Sequence, residues 1–150
     1  MAYSYLLYHI VLRPKASRPV LTEDHETSLY AYIWGLCKNK NCHLHRIGGM
    51  ADHLHMLVEI HPTLSVADFV REIKISTNAW LKQHRSEFPN FEAWGKSYCA
   101  LTYSERDKET VRNYIANQKE HHRTTSFREE YEALLRDFGI EPDQWLMSDE

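Results

Sequence analysis

The sequence is short of the residues that mark several special protein classes. Its three cysteines, Cys37, Cys42 and Cys99, are odd in number and lack CxxC spacing, which argues against a disulfide framework or a zinc finger. We expect each to be a small buried residue. Five glycines and five prolines exclude a collagenous or low-complexity chain. No apolar run reaches the length of about 18 residues that a membrane span needs.

What the sequence does contain is typical of an ordinary globular protein. Its 150 residues, 43% hydrophobic and 26% charged, show no repeat or linker, so we predict one domain over residues 1–150. Residues 1–6 lack the basic segment and cleavage site of an export signal, and we expect a cytoplasmic protein. The net charge of −3 counts mildly against a nucleic-acid-binding protein, which is usually basic. The unusual number is the ten histidines.

Hydrophobic periodicity predicts the order β-α-β-β-α-β followed by two more helices. The predicted strands are Tyr3 to Leu12, Cys42 to Ile47, His53 to Ile60 and Ser97 to Tyr103. The predicted helices run from Thr22 to the Asn39-Lys40-Asn41 stretch, from Ser65 past Leu81, from Asp107 to His122, and from Ser126 to Gly139. The fold class is therefore α+β, a ferredoxin-like or RRM-like antiparallel sheet with helices on one face and a C-terminal helical extension.

Two histidines lie on one face of the third predicted strand. Side chains repeat every second residue in a strand, so the Cβ atoms of His53 and His55 are expected about 6–7 Å apart, close enough to share one ion. The opposite face, beginning with Leu54 and Met56, is continuously apolar. We therefore expect helices on the apolar face and the histidines on an exposed or cleft face. Two solvent-facing histidines without a ligand are the simpler alternative.

The neighbouring strand repeats the pattern with His43 and His45. Arg46 follows this pair, and the strand is shorter and less apolar, which favours a surface or DNA-facing role over metal ligation. Leu57 stands where a third alternating histidine would follow His53 and His55. A phosphodiesterase-like pattern of three alternating histidines is therefore excluded.

The predicted helix from Asp107 carries a second group of polar residues. Tyr114 and Gln118 differ by about 40° around a helix and lie one turn apart, and His121 falls on the same side. They border the apolar stripe of Val111 and Ile115. A tyrosine and a glutamine at an ordinary helix–sheet boundary are the alternative reading.

Together, these motifs resemble the two signatures of the single-tyrosine HUH-type transposases, the IS200-like insertion-sequence group. The resemblance is carried by Gly48 to Leu57 and by Val111 to Lys119, and it extends over nearly the whole chain. Further similar segments are Tyr8 to Val11, Arg18 to Leu21, Val70 to Lys74, and Trp94-Gly95 with Tyr98.

The resemblance implies an enzyme that cuts and rejoins single-stranded DNA at hairpin ends through a covalent 5′-phosphotyrosine. The nucleophile maps onto Tyr114, and the ligands of a Mg²⁺ or Mn²⁺ ion map onto His53, His55 and Gln118. The family also implies a homodimer, in which an active site can draw on both subunits. Two roles are open for Asp52: it either contacts a metal ligand without touching the ion, or it ends a turn that is predicted to begin at Gly48 and Gly49.

The resemblance leaves the DNA-binding surface to be located. A chain of negative net charge can bind a polyanion only where its basic side chains are grouped, because affinity depends on the phosphates neutralised locally. The candidates are Lys15, Arg18, Arg71, Lys74, Lys119 and His121. Two alternatives stay open: an RRM-like binding module, which would leave the histidines unexplained, and a domesticated relative that binds hairpin nucleic acid without transposing it.

Overall fold

A computed structural model describes residues 2–142 of the chain. Its four strands form an antiparallel sheet in the order β2-β3-β1-β4. The strands are β1 Leu7–Leu12, β2 His43–Met50, β3 His53–Glu59 and β4 Cys99–Thr102. The helices are α1 Glu26–Asn39, α2 Val66–Gln83, α3 Lys108–Ala116, α4 Gln118–His121 and α5 Phe127–Asp137. The predicted α+β class and the β-α-β-β-α-β order of a ferredoxin-like fold are confirmed.

One face of the sheet carries the main hydrophobic core. Leu54, Met56 and Val58 alternate along β3 on this face and are fully buried. They pack in one cluster with Ile33 of α1 and Phe69 of α2. The apolar face predicted for β3 therefore lies where the sequence placed it, beneath α1 and α2.

The other face of the sheet is also covered, which corrects the prediction that the histidine face is open. Val111 and Ile115 of α3 pack on Leu57 of β3, and α5 packs on β1 and β4 through a second apolar cluster. His53 and His55 are consequently 0% exposed. The C-terminal helices cover the histidines, because the apolar side of each helix is buried by packing against this face of the sheet.

The predicted starts of two helices and the predicted burial of the cysteines match the described structure. The Ser65 side chain accepts a hydrogen bond from the Asp68 amide at the start of α2. Ser126 and Glu129 form a complete capping box at the start of α5. Gly139 follows α5 with a φ of 72°, the left-handed conformation expected of a helix C-terminus. All three cysteines are free and buried, as expected.

Several predicted elements differ from the structure at their ends. β2 runs to Met50, so Gly48 and Gly49 lie in the strand and not in the turn that the sequence predicts there. β1 begins at Leu7 rather than Tyr3, whose side chain is 96% exposed and has no layer to pack against. The single helix predicted from Asp107 to His122 is interrupted at Asn117, where φ is −97° and ψ is 18°. Gln118 therefore starts a short separate helix instead of continuing the helix of Tyr114.

The approach of α3 to the sheet depends on a missing side chain. Gly48 pairs with His55 across β2 and β3. A Cβ atom at Gly48 would lie 2.8 Å from the backbone oxygen of Ile115, near the end of α3. Glycine at this position thus allows α3 to rest on the strand pair that carries the histidines.

We expect Gly48→Ala to destabilise the protein by about 1–3 kcal/mol, because the new methyl group meets backbone rather than a side chain that could move. The midpoint of urea-induced unfolding measures this change. Gly35→Ala in α1 is the matched control, since a Cβ atom there has nothing within 4 Å. Equal midpoints for the two variants would show that the contact with α3 is not tight.

Candidate active site

The two histidines of β3 are held from behind by hydrogen bonds. The Nδ1 atom of His53 lies 2.7 Å from Oδ1 of Asp52, and Nδ1 of His55 lies 2.7 Å from Nε2 of His9 on β1. Both residues therefore turn Nε2 toward the same interior space. Histidines that bind metals usually have their second nitrogen fixed in this way. Asp52 thus contacts the site and also lies in the turn between β2 and β3.

Gln118 completes this group from the first turn after the Asn117 break. Its Oε1 atom lies 2.9 Å from Nε2 of His53, and its side chain is almost fully buried. Gln118 thus faces the interior from the start of α4. The amide oxygen is thus placed beside the imidazole with which it is predicted to share an ion.

Tyr114 reaches the same space from the last turn of α3. Its ring centroid lies 5.8 Å from that of His55, in an edge-on arrangement. Its hydroxyl donates a hydrogen bond to Oε2 of Glu130. The structure thus brings Tyr114, His53, His55 and Gln118 together within one chain.

Glu130 of α5 lies at the centre of this group, and the sequence reasoning missed it. It is only 2% exposed. Its Oε1 atom lies 3.0 Å from Nε2 of His55 and 3.3 Å from Nε2 of His53, while Oε2 accepts a 2.8 Å hydrogen bond from Nε2 of Gln118. A signal was available, because Glu130 interrupts the apolar stripe of α5 between Phe127 and Leu134.

Two further histidines from the end of α4 border the site. His122 lies 3.2 Å from Oε1 of Glu130 through Nε2. His121, predicted to face DNA, lies beside Tyr114 with a ring-centroid distance of 5.5 Å and is 33% exposed. His121 is therefore at the open edge of the site, beside Tyr114.

The buried groups perturb one another's pKa values strongly. Burial alone would raise the pKa of Glu130, but hydrogen bonds from His53 and His55 hold it well below its usual range. Burial and the Glu130 carboxylate raise the pKa of Tyr114 above its usual value near 10. Burial lowers the pKa of His9 to about 3, so His9 is neutral. In this arrangement the tyrosine is a protonated phenol, which needs activation before it can act as a nucleophile.

The donor set fits a divalent cation. The set combines nitrogen and oxygen: imidazole nitrogens of His53 and His55, the amide oxygen of Gln118 and a carboxylate oxygen of Glu130. Such a set suits Mn²⁺ or Mg²⁺ when phosphate adds oxygen ligands. His53, His55 and Glu130 offer ligand atoms that lie within 4.8 Å of one another.

A separate cluster lies at the edge of the sheet, on β2, whose two histidines are predicted to have a surface or DNA-facing role. Nε2 of His45 lies 2.6 Å from Oε2 of Glu59, and the rings of His43 and His45 stack at 4.1 Å. His43 is exposed and His45 is partly buried. The geometry places these histidines away from Tyr114 and its partners, and their role stays a prediction.

Two of the candidate DNA-binding lysines are held by partners within the protein. Lys74 donates to the backbone oxygen of Gly95 at 2.8 Å and to two neighbouring carbonyls, and burial lowers its pKa. Lys119 donates to Oε2 of Glu26 at 2.9 Å and to the backbone oxygen of Gly49. Both lysines therefore also tie loops or elements together.

The remaining basic candidates are exposed. Lys15 lies on the surface after β1. Arg18 forms an ion pair with Glu92 at 3.2 Å, and Arg71 forms one with Asp68 at 3.1 Å. Exposed pairs of this kind exchange partners easily, so both arginines stay available to a phosphate.

A profile of the family described as "Transposase IS200 like" matches residues 2–118, well over half of the chain and including His53, His55, Tyr114 and Gln118. The chain belongs to the IS200-like transposase family. It thereby belongs among DNA-cutting enzymes that move genetic elements. The matched segment ends at Gln118, so Glu130 and all of α5 lie beyond it.

Individual members of the family support the assignment. The transposase for insertion sequence element IS200 of Salmonella typhimurium strain LT2 is 29% identical over 117 residues, which cover 75% of this chain and 76% of that protein. The ISDra2 transposase TnpA of Deinococcus radiodurans is 26% identical over 121 residues, covering 77% and 86%.

Solved structures share the fold of this transposase. A crystal structure of a candidate transposase from Deinococcus radiodurans R1 superposes with a TM-score of 0.59 at 26% identity and covers 79% of this chain and 95% of that one. A REP-associated tyrosine transposase bound to a REP hairpin gives a TM-score of 0.58 at 14% identity, covering 81% of this chain and 73% of that one.

No helix within residues 2–142 has the length and apolar character to cross a membrane.

Proposed function

We propose that this protein cuts and rejoins single-stranded DNA at the hairpin ends of an insertion sequence, through a covalent 5′-phosphotyrosine at Tyr114. The observation that carries the proposal is the convergence of Tyr114, His53, His55 and Gln118 around one buried site. Family membership supports DNA cutting in general, and the placement of these side chains supports tyrosine as the nucleophile.

The reaction consists of two displacements at one phosphorus atom. The Tyr114 oxygen forms a bond to phosphorus as the bond to the 3′ oxygen of the preceding nucleotide breaks. The phenol loses its proton, and the departing 3′ oxygen gains one to become a hydroxyl. The DNA is left joined to Tyr114 through its 5′ phosphate. Attack by a DNA 3′-hydroxyl then reverses these steps and rejoins a strand without an external energy source.

We assign His53, His55 and Gln118 to a bound Mg²⁺ or Mn²⁺ ion. When bound, the ion supplies positive charge that polarises the scissile phosphate and stabilises the charge of the transition state. Asp52 and His9 hold the two imidazoles so that Nε2 faces the site. The α3 backbone, resting on Gly48, places Tyr114 on the opposite side of the same space.

A hairpin substrate and a homodimer are further parts of the proposal. One structural neighbour is bound to a REP hairpin, and the shared fold supports a similar substrate here. The nucleophile and the proposed ligands come from the same chain in this structure, so each subunit of a dimer would hold a complete site.

The test is incubation of the full chain with a labelled single-stranded hairpin oligonucleotide from the ends of its own element, with Mn²⁺, followed by denaturing electrophoresis. The proposal expects labelled DNA that migrates with the protein, together with a free 3′-hydroxyl fragment. Hairpin binding without cleavage or adduct would contradict it and favour the alternative of a protein that binds hairpins without transposing them.

We expect hairpin affinity to weaken steeply as salt rises, because each neutralised phosphate releases counterions. Lys15→Ala and Lys119→Ala should each weaken binding to all sequences alike and reduce the salt slope by about one. Lys82→Ala, which removes an exposed charge from α2 outside the candidate set, is the control. Fluorescence anisotropy between low and moderate salt measures this, and a flat affinity would show that these residues do not form the DNA-binding surface.

A further inference from the structure

We propose that Glu130 is a fourth protein ligand of the divalent ion, binding through Oε1, while its Oε2 holds the hydroxyl of Tyr114. The inference deepens the proposed function and rests on it. It assigns a ligand from α5, beyond the segment that the family profile matches. One carboxylate would thereby connect the ion to the nucleophile.

The spacing of the converging atoms supports this assignment. Metal–ligand bonds of about 2.1 Å at right-angled to tetrahedral geometry place neighbouring ligand atoms about 3.0–3.4 Å apart. Oε1 of Glu130 lies 3.0 Å from Nε2 of His55 and 3.3 Å from Nε2 of His53. The contact between Nε2 of His53 and Oε1 of Gln118 is 2.9 Å. Glu130 is thus spaced from the histidines as another ligand would be.

Charge supports it as well. The imidazoles and the amide that bind the ion are neutral as ligands, whereas Mg²⁺ and Mn²⁺ prefer carboxylate oxygens. Glu130 brings a negative charge into a buried position, and a buried carboxylate is costly unless a positive partner compensates it. His53 and His55 stabilise the carboxylate as hydrogen-bond donors in this structure, and a divalent ion would replace that stabilisation once the two imidazoles act as its neutral ligands.

The second carboxylate oxygen arranges the other reacting groups. Oε2 of Glu130 accepts hydrogen bonds from the Tyr114 hydroxyl and from Nε2 of Gln118. The Gln118 bond leaves the amide oxygen turned toward His53 and free to act as a ligand. Four protein ligands on a six-coordinate ion leave about two positions for phosphate oxygens, which a transferred phosphate can occupy.

The direct test is calorimetric titration of the full chain with Mn²⁺ in the absence of DNA. We expect one site in the wild-type protein and a loss of affinity of more than about 100-fold in Glu130→Gln, which keeps the size of the side chain. Loss of a direct ligand should exceed the loss of about 10–100-fold that is typical of a residue that only orients the ligands. Glu132→Gln on the same helix is the matched control, because Glu132 pairs only with the surface arginines Arg128 and Arg136 among the described residues. Thermal unfolding shows whether each variant is folded.

A second measurement needs no variant. Counting the exchangeable waters on bound Mn²⁺ in the wild-type chain, by electron spin echo in deuterated water, should give about two if Glu130 is a ligand and about three if it is not.

Two outcomes of the titration would contradict a proposal. Equal Mn²⁺ affinity in wild type and Glu130→Gln, or tighter binding by the variant, would overturn the inference while leaving the proposed function intact. A wild-type chain that binds no Mn²⁺ would instead contradict the metal dependence of the proposed function itself.

Discussion

Tyr114→Phe is expected to abolish the covalent protein–DNA adduct while leaving hairpin binding unchanged. The substitution removes the only atom of this side chain that can form a bond to phosphorus. Loss of a nucleophile typically lowers the rate about a thousandfold or more. The labelled hairpin assay measures the adduct, and fluorescence anisotropy measures binding. A full-strength adduct from the variant would remove Tyr114 from the mechanism.

The folded state should tolerate this change. The Tyr114 hydroxyl donates to Glu130, and a hydrogen bond to a charged group contributes about 1.5–3 kcal/mol. Glu130 keeps Gln118 and His55 as partners. Tyr30→Phe is the matched control, since the Tyr30 hydroxyl also donates to a glutamate, Glu26 of α1, whose ion pair with Lys119 the substitution leaves in place. It should show similar stability with an undiminished adduct.

The same variant shows whether a site is built from one chain or two. Because Tyr114 and the proposed ligands lie together in one chain, mixing Tyr114→Phe with a chain that lacks His53 should leave the mixture inactive. An adduct that appears only in the mixture would mean that Tyr114 of one subunit acts at the ion of the other.

The sequence predicted the local arrangement of the site better than its surroundings. His53 and His55 share a face because strand side chains alternate, and this needs no knowledge of the rest of the fold. Which layer covers that face depends on how the C-terminal helices pack. Their amphipathic patterns show that they bury one side, but not against which surface. The prediction of an open histidine face was wrong for this reason.

His9 and Glu130, which the sequence did not place in the site, also depend on how distant elements pack. His9 shares the face of His55 only because β1 pairs with β3 in the register that joins Val11 with His55. Glu130 comes to the site only because α5 packs across β1 and β4. Its position on an apolar stripe was visible in the sequence, but its partners are 75 and 77 residues away along the chain for His55 and His53, respectively. Contacts of that separation are set by topology rather than by periodicity.

Removing the ion or a ligand should have an effect as large as removing the nucleophile. Stabilisation of a developing phosphate charge by a divalent ion is worth several kcal/mol, so we expect cleavage to fall about a thousandfold in excess chelator. His53→Gln should have a similar effect, because glutamine cannot reproduce both the bond to Asp52 and the Nε2 ligand. Added Mn²⁺ should restore the chelated wild type but not the variant.

Glutamine is chosen over alanine because the structure corrects an expectation from the sequence. On an exposed face, alanine at His53 would leave the packing intact, but the His53 ring is fully buried and stacks on Phe127 with centroids 4.1 Å apart. Alanine would leave a cavity there and destabilise the protein independently of any metal. His61→Ala, which removes an imidazole bonded to Thr63 outside the site, is the control. Undiminished cleavage in excess chelator would contradict the metal assignment altogether, since no substitution is involved in that result.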